Sequence, residues 1–121
     1  MNKVNIREAL ASVEEYWLQK IIGVGNGQLF KVARGIDETR WHTHDDQDEV
    51  FILYKGHLTM QLRDCDVELY TDDLFIVPKG VEHCPRANGE VEFMIIGLNI
   101  TSNAAGGKPD EIRRVAHGSG Q

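Results

Sequence analysis

The chain has 121 residues, 41% of them hydrophobic and 26% charged, which fits one ordinary globular domain and excludes a chain disordered throughout. Thirteen basic residues against 19 acidic ones leave a formal charge of −6. Such a surface repels phosphate backbones and anionic membranes, so neither nucleic acid nor a membrane is an expected partner. No run approaches the roughly 20 apolar residues that span a bilayer. Glu8, Glu14 and Glu15 interrupt any signal-like segment near the start, and a cytoplasmic location is expected.

In chain order, Asn5 is placed to cap a short amphipathic helix over residues 6–15, with Ile6, Leu10 and Val13 at helical spacing. From Leu18 to Ile100 the pattern changes to short apolar or alternating runs: QKIIGV, QLFKVAR, EVFILY, LTMQLR, VELY, DLFIVP and VEFMIIGLNI. Turn residues separate them, among them Gly35-Ile36-Asp37, Pro78-Lys79-Gly80 and Asn88-Gly89. Strands of this length and spacing predict an antiparallel sandwich or barrel. One domain over 1–121 is expected, with its barrel core at about 20–100 and an irregular tail over 102–121 in which His117 is solvated. Cys65 and Cys84 lack CxxC spacing and read as two free thiols.

The chemistry is concentrated in WHTHDDQDEVFILYKG, residues 41–56. Residues two apart on a strand share a face, so His42 and His44 present both imidazoles together. Glu49 has the wrong parity for a straight strand, but Asp45-Asp46-Gln47-Asp48 reads as a turn or bulge that returns it to the histidine side. Asp45, Asp46 and Asp48 themselves read as a solvated loop. His83, after Pro78 and Gly80, begins a return strand that closes the group. Three imidazoles and one carboxylate suit a divalent transition metal. Arg40 shares the parity of the two histidines and is a candidate for holding an anionic substrate. Phe51 and Leu53 share that of Glu49 and are candidates for an apolar wall of a small-molecule site. Cys84 is turned away by alternation, and His57, after Gly56, is expected at the surface.

These two stretches resemble the paired motifs of the cupin superfamily. The first motif, G-x5-H-x-H-x3–4-E-x6-G, is matched by Gly35, His42, His44, Glu49 and Gly56, with one extra residue before His42 that suggests a bulge. The second, G-x5-P-x-G-x2-H-x3-N, is matched at Pro78, Gly80 and His83. Asp72 stands at its first glycine, a residue that tolerates left-handed backbone, and Asn88 falls one place late. The resemblance covers about residues 20–100 and is closest to small single-domain cupins of the cupin 2 kind, similar to the domain of mannose-6-phosphate isomerase.

The resemblance implies an all-β double-stranded β-helix, a jelly-roll barrel of six to eight strands, commonly a homodimer. It also implies one divalent metal (Mn, Fe, Zn, Ni or Cu) held by His42, His44, Glu49 and His83. Two functions fit. One is a metalloenzyme of dioxygenase, isomerase or lyase type acting on a small organic substrate; the other is a non-catalytic binder of metal or small ligand.

Overall fold

The computed structural model describes residues 2–99, so the expected tail and His117 lie outside the described residues. One helix, α1 (Ile6–Ala11), precedes seven strands: β1 (Lys20–Gly25), β2 (Gln28–Glu38), β3 (Glu49–Lys55), β4 (His57–Leu62), β5 (Asp66–Tyr70), β6 (Leu74–Val77) and β7 (His83–Leu98). All pairings are antiparallel, and the order runs β1-β2-β7-β3-β6, with β4 pairing β5 and β7. The all-β jelly roll is therefore as expected.

Asn5 caps α1 by accepting the Glu8 amide at 2.9 Å. The helix stops four residues earlier than the spacing predicted. The Ser12 hydroxyl donates to the Ala9 carbonyl at 2.7 Å and closes the last turn. The chain then leaves through Trp17, whose φ of 67° is left-handed and whose amide donates to the Arg34 carbonyl at 2.6 Å. Val13 is buried all the same (5% exposed); the periodicity reported burial correctly and helix length incorrectly.

Two apolar layers follow from strand alternation. Inward-facing Ala33, Phe51, Leu53, Leu58, Met60, Val91, Phe93 and Ile95 fill the barrel. Outward-facing Val32 and Met94 pack beneath α1 with Ala9, Leu10 and Val13. The Trp17 indole reaches the first layer, its ring 5.9 Å from that of Phe93 and its Nε1 donating to the Ile36 carbonyl at 2.9 Å. It lies so close over Gly35 that a Cβ there would come within 2.7 Å of the ring. The glycine of the first motif is required by an aromatic neighbour.

Two segments expected as turns are instead corners inside continuous strands. Gly35-Ile36-Asp37 lies within β2, with Asp37 at φ 59°, and Asn88-Gly89 lies within the 16-residue β7, with Gly89 at φ 83°. The corners face each other: Gly35 pairs Val91 and Asp37 pairs Ala87, so three residues of β7 oppose Ile36 alone. Such a bulge bends the strand and sharpens its twist. It lets β7 pass from β4, which it meets over residues 83–87, to β3, which it meets over residues 92–96.

The extra residue before His42 is also located. Glu38 pairs Arg86 and His42 bridges His83, so four steps on one side match three on the other. Asp72 takes the left-handed conformation expected of it, with φ 77°. Gly56 and Gly80 both have positive φ (94° and 82°), but they differ in surroundings. A Cβ on Gly56 would meet the Glu90 carbonyl oxygen at 2.5 Å, whereas nothing lies within 4 Å of one on Gly80. Gly80→Ala is accordingly expected to cost about 1–2 kcal/mol, the left-handed penalty alone. Gly56→Ala should cost that plus about 1–3 kcal/mol for displaced backbone. Urea denaturation of the two variants checks the order; equal losses would contradict the clash.

Candidate metal centre

The site begins with backbone. The His42 amide donates to the His83 carbonyl and the His83 amide to the His42 carbonyl, each at 3.0 Å. This isolated bridge, rather than a full strand, holds the two imidazoles with ring centres 4.2 Å apart. The Gly80 amide donates to the His44 carbonyl at 2.7 Å, and the Lys79 amide to Asp48 Oδ1 at 2.8 Å. The two motifs are thus sewn together by three main-chain bonds and one to the Asp48 side chain. Asp45 and Asp46 are exposed, as a solvated loop requires, but Asp48 uses its carboxylate to pin the Pro78–Gly80 turn.

The bend over 45–46 brings Glu49 back to the histidine side, as the parity argument expected. Glu49 Oε1 lies 3.2 Å from His83 Nε2, and Oε2 lies 3.3 Å from His44 Nε2 without hydrogen-bond alignment. The ligand atoms of His42, His44, Glu49 and His83 all fall within 4.8 Å of one another. His44, Glu49 and His83 are buried and His42 is half-buried.

The protonation of two rings is set from behind. His42 Nδ1 lies 2.8 Å from the Arg40 carbonyl, and His83 Nδ1 lies 2.9 Å from the Val81 carbonyl. A carbonyl oxygen only accepts, so in each ring Nδ1 donates outward and Nε2 is left facing the cluster. These nitrogens converge on the Glu49 carboxylate. A cation bound there takes the place of the protons between ring and carboxylate, so that imidazole lone pairs and carboxylate oxygens serve it together. The donor set and its outer supports fit a divalent transition metal.

Burial pushes the His42 imidazole down, and His83 beside it acts in the same direction, bringing it to about 4. Burial pushes the Glu49 carboxyl up, but the imidazoles of His44 and His83 outweigh it and hold it at about 2. At neutral pH His42 is therefore a neutral imidazole and Glu49 a carboxylate, the forms that ligate metal.

The remaining expected site residues are placed as follows. Arg40 has an exposed side chain, and its carbonyl supports His42. Phe51 is buried, with its ring edge-on to His83 at 6.3 Å between centres. Leu53 lies two residues deeper in the core, 0% exposed. Cys84 is buried and Cys65 exposed, both free. His57 is only half-buried; it stacks on Tyr70 with centres 4.6 Å apart and meets Glu68 Oε1 at 2.7 Å. Trp41 carries the Arg63 guanidinium 3.8 Å above its ring. Asn88, one place late in the motif, donates to Thr59 Oγ1 at 2.9 Å and has a structural role.

Sequence reasoning missed two residues. Gln47, in the acidic loop, is 3% exposed and accepts the Leu98 amide at 2.6 Å; nothing in its polar surroundings signals this. Lys31 is 0% exposed, and its Nζ has no hydrogen-bond partner. Its signal was present: in QLFKVAR it shares parity with Leu29 and Ala33, both buried.

The depressed His42 and Glu49 values give a pH dependence for metal-free protein. An unfolded histidine binds a proton near pH 6.5 and folded His42 only near 4, so stability is full above 6.5 and falls as pH drops towards 4. The loss across that window is on the order of 3 kcal/mol, and Glu49 extends it from 4.5 towards 2. Urea titrations at pH 7.5, 5.5 and 4.5 should show this fall, and His42→Asn should flatten it.

The comparisons with known proteins agree with this geometry. A family model described as the cupin domain matches residues 28–99. The chain is 32% identical over 89 residues to "Uncharacterized protein YdbB" of Bacillus subtilis (strain 168), covering 72% of this chain and 79% of that protein. Among solved structures it resembles a cupin-2 domain containing protein from Shewanella frigidimarina, with 35% identity, a TM-score of 0.75, and 77% of this chain and 91% of that one covered. It also resembles protein NMB1881 from Neisseria meningitidis, with 28% identity, a TM-score of 0.74, and 80% and 99% covered. A matching domain over most of the barrel, with both histidine motifs brought to one buried cluster, shows that the chain belongs to the cupin family.

Proposed function

We propose that this cupin binds one divalent transition metal through His42, His44, Glu49 and His83 and uses it to act on a small organic substrate. The observation that carries the reading is the inward convergence of acceptor atoms within 4.8 Å, with His42 and His83 fixed by backbone carbonyls. When bound, such a metal polarises an oxygen of a substrate at the positions that four protein ligands leave open. The residues around it divide the remaining work. Glu49 supplies the negative charge that favours a dication. Phe51 walls the His83 side and Leu53 backs it, which keeps that side free of water. Arg40, at the exposed approach, is suited to draw in an anion while its carbonyl orients His42. Isomerase, lyase and dioxygenase chemistry all use this arrangement, and the metal's identity selects among them.

Elemental analysis of the purified protein tests the centre. About one equivalent of metal is expected in the wild type, with at least a tenfold loss in His42→Ala and in His83→Ala. A chelator should lower the wild-type melting temperature by an amount equivalent to about 3 kcal/mol if metal is present at a hundred times its Kd; it should leave His42→Ala unmoved. Equal trace metal in all three proteins would sink the proposal.

The same reading extends to assembly as a homodimer. Leu74 and Ile76 of β6 are 56% and 47% exposed, and Ile76 is paired with Val50, which is paired in turn with Ile96. Strand β6 pairs only with β3 among the described residues, so an apolar edge is available to a second copy. Light scattering should give twice the chain mass for the wild type and the chain mass for Ile76→Glu; a monomeric wild type would exclude the dimer.

A further inference from the structure

Among the described residues, Lys31 is the one charged residue of the barrel interior that lies outside the His42–His44–Glu49–His83 cluster. It lies on the inward face of β2, two residues from Ala33 of the inner core. Across the sheet it pairs Ile95, and Ile95 pairs Phe51, the residue set against His83. Its Nζ is buried and makes no hydrogen bond. Burial pulls the ammonium down to about 8, and the Glu49 carboxylate pulls it back up, so the two charges act on each other within one interior.

An unpartnered amine in an apolar core costs several kcal/mol by transfer, and an apolar residue of the same size would avoid the cost. A fold that keeps this one gains if a partner arrives from outside. Neutral imidazoles, one carboxylate, a dication and an ammonium leave the interior net positive. That balance favours an anion over a neutral molecule.

We propose that Lys31 holds the carboxylate of a small organic acid bound inside the barrel, whose second oxygen function faces the His42–His44–Glu49–His83 cluster. The inference rests on the metal reading above and names its substrate class: short oxygen-bearing carboxylic acids. Lys31 is a binding and positioning residue that fixes the end of the molecule away from the metal ligands.

The test uses the metal-loaded full chain, with glycolate as probe and its neutral isostere glycolamide as control, by titration calorimetry. In the wild type glycolate is expected to bind at least tenfold more tightly than glycolamide. Lys31→Met, close in shape and without charge, should retain full metal and melt at or above the wild-type temperature. It should bind glycolate at least tenfold more weakly, with glycolamide unchanged. A purely structural lysine would lower the melting temperature and leave the preference for the anion intact, and that result overturns the proposal. Equal wild-type affinities for glycolate and glycolamide overturn it without any variant. Trace metal in the wild type removes the metal centre itself, whereas full metal with unaltered glycolate binding in Lys31→Met removes only the role of Lys31.

Discussion

The two reciprocal hydrogen bonds between His42 and His83 are the constraint on which the rest of the site depends. They join segments forty-one residues apart in sequence, and they do so through main-chain atoms, whose geometry no rotamer change can relax. Once they form, the two rings are neighbours whatever their side chains prefer. The Gly80–His44 bond extends the same seam through main-chain atoms and the Asp48 carboxylate adds to it at Lys79, so the four clustered residues sit on a scaffold fixed largely by backbone.

The interior set on that scaffold combines conflicting demands. A core of Phe, Leu, Val and Met stabilises the barrel by excluding water, yet the same exclusion makes each polar group inside it expensive. The chain concentrates that expense in one region. Glu49 and the imidazoles meet at one end, and the Lys31 amine lies along the same inner face. Away from this region the described inner face is apolar. Such segregation is what a ligand site requires: a dry wall with few polar groups, each aimed at the same space.

Much of this was legible in the sequence, for identifiable reasons. Alternation located the strands because each buries one face, and the HxH and PxGxxH spacings pointed to the four residues that cluster, because β-parity and tight turns fix direction. The corners were misread as turns because Asn88-Gly89 and Gly35-Ile36-Asp37 have the residues a hairpin uses. A left-handed residue that bends a strand and one that reverses it look alike until the pairing partners are known. The end of α1 was misread because Val13 stays buried after the helix has stopped. Lys31 was visible as a charge at an inward position, but that alternation matters only once β2 is known to pair with β7, which sets Lys31 opposite Ile95 of the inner core. Gln47 was not legible at all, since its partner is an amide fifty-one residues away.

That last bond has a mechanical consequence. Strand β7 starts at His83, tied to His42 and Glu49, and finishes at Leu98, tied to Gln47. Sixteen extended residues would reach about 50 Å, yet both ends are anchored to the same eight-residue stretch, because the corner at Gly89 curls the strand around the barrel. The strand is a hoop, and the segment from His42 to Glu49 is its clasp. Since this hoop borders β2, β3 and β4, opening the clasp slackens three neighbours together. The protein therefore has no soft site mounted on a hard frame: whatever grips the clasp tightens the entire barrel.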